Sequence, residues 1–311
     1  LEIYSCHLDI LMKKHTNKSG KNLIWTKEIY EIVRGAAGGF LFGIPLLYTF
    51  EVWQAGSYIK PYLMLSVLAI TYLVVFFFNR IEGFRRRKRT TLSDVILESI
   101  EALAIAITCA TLILFLLQRI NFDISLEEAL GKITFESVPF SLGVALSRLI
   151  LSENEPKNFS NPSRKTQDFM DKKLQKVKGV NETLADLGGT ITGAIIIAFS
   201  IAPTDEVTEL GVGASPPWLI AIMAASLLIS YLIVFAAGFA NQKQRRQQQG
   251  IFQTPESETV FSYLISLFAS VLMLLLFQKV SFADPWFLWM RYTIVLGLPA
   301  SIGGAAGRLA V

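Results

Sequence analysis

The chain has 311 residues, 52% apolar and only 17% charged, with mean hydropathy +0.46 and a formal net charge of +4. A soluble globular chain carries about 25% charge, which excludes that class. Two cysteines, 11 prolines and 21 glycines likewise exclude a disulfide scaffold, a collagen and a disordered segment. What remains is an all-helical protein that crosses a membrane several times.

A bilayer core takes about 20 apolar residues per helix. Taken in chain order, stretches of that kind occur at 35–54, 62–79, 97–117, 133–151, 186–203, 217–240, 259–278 and 286–309, which predicts eight spans. The fourth carries Glu136 and Pro139, and the fifth is short. A polar, basic tail, 1–27, precedes them. Its first 24 residues lack an apolar core ahead of a small-residue cleavage site and do not read as a signal peptide.

With eight spans, the tail and alternate loops (1–33, 80–96, 149–185 and 241–258) hold 21 Lys and Arg, against 5 in the opposite loops. Arg34, Arg148 and Arg308 end helices on the richer side. By the positive-inside rule both termini are expected in the cytoplasm, and the chain in a bacterial inner membrane. The positive balance is then a matter of topology and calls for no nucleic acid. The run Arg85-Arg86-Arg87-Lys88-Arg89 fits an orienting stop signal.

The two halves of the chain resemble each other. At a constant offset of 160, Glu98, Gln118-Arg119, Phe122, Pro139, Ser141, Gly143, Arg148 and Leu149 match Glu258, Gln278-Lys279, Phe282, Pro299, Ser301, Gly303, Arg308 and Leu309. Tyr72–Phe76 matches Tyr231–Phe235 one position closer. Gly38-Gly39 and Gly43 align with Gly188-Gly189 and Gly193, and Thr49-x-Glu51 with Thr204-x-Glu206. The expected architecture is two parallel four-helix repeats, 28–152 and 184–311, related by a pseudo-two-fold axis along the membrane normal. A linker at 153–183, helical over 165–178, joins them. Small residues at four-residue spacing (Gly35, Gly39 and Gly43; Gly189 and Gly193; Gly303 and Gly307) predict closely approaching helices.

Ionisable groups inside a membrane are functional candidates by default, because they are costly to insert. Glu98 and Glu101 share a helix face at the end where Arg148 lies, and Glu258 and Arg308 repeat the arrangement, predicting an inner clamp or gate in each half. At the other end Thr49, Glu51, Thr204, Asp205 and Glu206 are expected to line an outer mouth. The loop 202–217 has three acids and no Lys or Arg, so a ring of solvated carboxylates there would concentrate cations. Glu51 and Glu206 are expected to be equivalent and to contribute little to folding. Gln118 and Gln278 read as interfacial amides, and Trp53, Trp218, Trp286 and Trp289 as an aromatic belt.

No Gly-rich phosphate loop, Gly-x-Ser-x-Gly or His-Glu-x-x-His occurs, and both histidines, His7 and His15, lie in the tail. An enzyme, a cofactor and a metal centre are therefore not expected. The stretch 34–53, RGAAGGFLFGIPLLYTFEVW, resembles the first-span signature of a bacterial family of integral membrane proteins of unknown function, common in cyanobacteria. The stretch 199–206, FSIAPTDE, is similar to its second signature. The resemblance implies a membrane protein and transfers no site residue. The expected function is a small-cation channel or secondary transporter with a path at the repeat interface. The rival is a non-transporting scaffold or assembly factor for a membrane complex. Expected partners are the lipid bilayer, small cations and further copies of the chain.

Overall fold

The computed structural model describes residues 25, 28–82, 91–151, 171–237 and 255–310, with side chains over 28–80, 91–147, 185–237 and 255–310. The basic run 85–89, most of the tail and the Arg148 side chain fall outside the described residues. Among the described residues every regular element is helical.

The elements are α1 (Glu28–Leu47), α2 (Phe50–Tyr58), α3 (Pro61–Glu82), α4 (Leu92–Leu116), α5 (Leu126–Leu151), α6 (Asp171–Ile201), α7 (Glu206–Gly213), α8 (Pro216–Tyr231, continued by a π turn at Leu232–Ala236), α9 (Pro255–Leu276) and α10 (Trp286–Ala310). Six helices are long and apolar enough to cross a membrane: α1, α3, α4, α8 with its π turn, α9 and α10. The pair α6–α7, bent by 91° at the turn between them, adds a seventh if it is one broken span. The stretch 133–151 falls within α5, which carries Glu136 and Pro139 and is not among those six.

Local chemistry sets the helix ends. Thr91 and Asp94 form a capping box, each side chain accepting the other's backbone N–H. The ends of α4 and α9 use a positive-φ residue. Gln118 (φ 57°) and Gln278 (φ 56°) are the non-glycine residues with positive φ among the described residues. The Arg119 N–H bonds to Leu114 O and the Gln118 N–H to Phe115 O; Lys279 with Leu274 and Gln278 with Leu275 repeat the pattern. This is the Schellman motif, which satisfies the last helical carbonyls by turning the chain through a left-handed residue. Glutamine sits where glycine would be easier. The two glutamines are therefore helix-terminating residues rather than simple interfacial amides.

The helices pack in two sets. In the first, α5 is covered by α2, α3 and α4; in the second, α10 is covered by α6, α7, α8 and α9. Glycines let the central helices approach. A β-carbon on Gly38 would overlap Ser147 and the Gly143 carbonyl, so α1 crosses α5 backbone to backbone. Gly193 meets Gly303 and Gly307 meets Gly189 in the same way, bringing α6 onto α10. With no hydrophobic drive between helices in lipid, such contacts supply dispersion attraction instead. Polar pairs add to it: Asn79 on α3 donates to Ser99 on α4 at 3.1 Å, both buried.

The halves meet where Tyr48, just past α1, reaches α10, where α4 meets α8, and near the end bearing α2 and α7. Phe115 on α4 lies edge-on to Trp218 on α8 at 5.6 Å between ring centroids. Tyr48 donates its hydroxyl to the Val295 carbonyl at 2.8 Å. That carbonyl is available for a covalent reason. Pro299, four residues on, has no N–H to give it.

Candidate functional site

Just past α1 the chain makes a short break at Tyr48-Thr49 and starts α2, while the end of α6 turns at 202–205 and starts α7. The two helix starts face each other across the halves. Between them lies a cleft of about 710 Å³, lined by Thr49, Glu51, Thr204, Asp205 and Glu206 together with Tyr48, Ser200 and Glu209 among others. All five residues expected at the outer mouth thus come together in one place, from both halves of the chain.

Their states differ from the expectation. Glu51, in the first turn of α2, is exposed. Glu206 is 8% exposed, and its Oε1 accepts the backbone N–H of Phe50 at 3.0 Å. A helix start leaves its first N–H groups without internal partners. Glu206, from the other half, serves as that partner for α2. Its second oxygen, Oε2, is buried and has no hydrogen-bond partner among the described residues. Glu51 and Glu206 are therefore not equivalent, and Glu206 is not a solvated carboxylate. Thr49 and Thr204 spend their hydroxyls on the Leu46 and Ile201 carbonyls, at 2.9 and 2.7 Å.

The other two acids already have cations. Lys279 reaches Asp205 at 2.7 Å, and Arg119 reaches Glu209 at 2.8 Å. Both cations are the residues that follow the left-handed glutamines. Counting loops alone missed them, because the loop 202–217 has no base of its own and borrows two from the Schellman turns.

Arg119 also lies over the Trp53 ring, 4.4 Å from its centroid. Trp53 is 3% exposed, so it is a core residue rather than part of an aromatic belt, and Trp286 is the exposed one of the four tryptophans. Beside Trp53 sits Glu136, 1% exposed, in the middle of α5. Sequence reading noted Glu136 only as a blemish in the fourth span. Its spacing of four from Lys132 and eight from Glu128 was the available signal: the three lie along one face. Lys132 is 9% exposed and binds Glu128 at 2.6 Å and the Arg119 carbonyl at 3.1 Å.

At the opposite end, Arg308 is 1% exposed and forms an ion pair with Glu258, with Phe235 facing its guanidinium at 5.6 Å. Glu98 is buried and Glu101 half-buried on α4, while the Arg148 side chain expected beside them falls outside the described residues.

Residues 31–311 match the family described as putative integral membrane protein, DUF2391, and the chain belongs to that family. No curated protein and no solved structure matches the sequence.

Proposed function

We propose that the chain, a member of this membrane-protein family, moves a small cation across the membrane, collecting it in the cleft between the halves and passing it along their interface. The observation that carries this reading is the convergence of Glu51 and Glu206, from different halves, on one cleft. Clefts of this size with a few converging polar groups are the usual form of binding sites.

The reading has eight crossings. α5 is taken as the fourth because its charged residues at membrane depth, Lys132 and Glu136, are buried in protein rather than exposed to lipid. The bent pair α6–α7 is taken as the fifth. Two parallel repeats are supported by the matching turns after α4 and α9 and by the glycine crossings. Those crossings pair Gly38 with Gly193, an offset of 155, which agrees with Thr49 and Thr204 and replaces the alignment of Gly43 with Gly193. The richer positive charge places both termini in the cytoplasm. Glu258 with Arg308 then closes the inner end.

The ion pairs of Asp205 and Glu209 favour the rival reading, a non-transporting scaffold, since they halve the unpaired acid around the cleft. Flux decides between them. In liposomes at low ionic strength, Glu51→Gln lowers cation flux severalfold, and the defect shrinks in high salt as the Debye length falls below about 10 Å. If no monovalent or divalent cation moves above an empty-liposome control, the scaffold reading replaces transport.

A further inference from the structure

Glu128, Lys132 and Glu136 stand four residues apart on one face of α5 and cover about 12 Å of its length. Glu128 is partly exposed; Glu136, the innermost, is 1% exposed, and neither of its carboxyl oxygens has a hydrogen-bond partner among the described residues. The Trp53 indole lies beside it, and Trp53 Nε1 likewise completes no hydrogen bond among the described residues. The buried cations of this end are engaged elsewhere. Lys132 donates to Glu128 and to the Arg119 carbonyl, and Arg119 pairs with Glu209. The other titratable groups toward this end, on or beside the elements packed against α5, are Tyr48, Glu51, Tyr58, Tyr62, Tyr72, Cys109 and the exposed Asp123 and Glu127. None of these is a cation, and Lys60, between α2 and α3, is exposed.

Packing does not call for a carboxyl at this place. At the offset of 160, Glu128, Lys132 and Glu136 match Leu288, Tyr292 and Leu296, and Leu296 is fully buried. Gly56 of α2 abuts Lys132 as Gly211 of α7 abuts Tyr292, so the matched positions have like neighbours. A buried carboxylate without a partner is far more costly than the neutral acid, and such a group takes up a proton instead. We infer that Glu136 is a proton-binding site inside the membrane, loaded from the end bearing α2 and α7, with Lys132 changing partner when the proton leaves. In the arrangement described, Glu136 holds the proton and Lys132 holds Glu128. When the O–H bond breaks, the proton passes to water from that end and the electron pair stays on the carboxylate. Lys132, keeping its own protons, then turns along the face from Glu128 to Glu136, four residues away on either side. Glu128 is left where water reaches it. Resting on the proposed transport reading, the proton is then the ion exchanged for the cation.

The test is infrared difference spectroscopy on the full chain in nanodiscs, in light and heavy water, reading the carbonyl band of a protonated carboxyl. The band is present at neutral pH, is lost reversibly as the medium is made alkaline, and is missing from both Glu136→Gln and Glu136→Leu. Lys132→Met removes the counter-charge of the ionised form, so the band persists to higher pH by about one pH unit or more. Glu128→Gln frees the lysine for Glu136 and moves the loss to lower pH. A band unchanged in both Glu136 variants overturns the inference, as do shifts of one sign in the Lys132 and Glu128 variants. If Glu136→Gln and Glu136→Leu both fail to fold, the carboxyl belongs to the fold and the inference falls. In liposomes, cation flux that follows an imposed pH gradient loses that dependence in Glu136→Gln; a dependence that survives overturns the exchange. Absence of cation flux from every protein removes the transport reading and the exchange with it, while the infrared band still decides the proton site.

Discussion

At the scale of single residues, Pro299 removes the N–H that would have served the Val295 carbonyl, and Tyr48 from the other half supplies a hydroxyl in its place. Tyr48→Phe should cost about 1–3 kcal/mol, since it leaves that buried acceptor unsatisfied. Pro299→Ala restores the helical N–H, so in that background Tyr48→Phe should cost far less. Thermal unfolding of the four proteins in detergent checks the coupling, and equal losses in both backgrounds would refute it. The prolines and their offset of 160 were visible in the sequence. The bond was not, because the first-half equivalent, the Phe135 carbonyl opposite Pro139, would need a tyrosine at the place of Pro203. Glu206 tells the same story. Its residue type and place were legible, but its burial depends on where α2 starts in the other half, which no spacing records.

At the scale of elements, the glycines separate into two kinds. Gly193 faces the Gly303 carbonyl with no room for a methyl, whereas Gly188, in the same helix, has nothing within 4 Å. Gly193→Ala should destabilise by about 1–3 kcal/mol, the usual range for overpacking. Gly188→Ala should stabilise by about 0.5–1 kcal/mol, the cost of glycine in a helix interior. Unfolding curves on the two variants test this, and the idea fails if both move in the same direction. Six of the expected spans were legible from apolar length alone. α5 buries its charges against α2, α3 and α4, a tertiary fact, and the break between α6 and α7 falls at Pro203, which has no N–H with which to continue the helix. The lumen lined with bare backbone that a glycine stripe also permits is filled here by the facing helix.

For the molecule as a whole, water should enter only from the end bearing α2 and α7. Ser200→Cys, at an exposed site lining the cleft, should react with a membrane-impermeant thiol reagent. Leu47→Cys should not, because Leu47 is fully buried. Labelling at position 47 as fast as at 200 would contradict this packing. Thr49, Glu51, Thr204 and Glu206 at the cleft were legible because they recur in both halves; the ion pairs of Asp205 and Glu209 were not, since pairing with Lys279 and Arg119 depends on how two distant turns are aimed. The bond between Phe50 and Glu206 spans 156 positions. During synthesis α2 therefore waits, its first amide facing water, until the second half has been made and inserted. Neither half, released alone, would present this surface in finished form. A ribosome that stops after α5 leaves a membrane product in which water must stand in for Glu206 at that helix start.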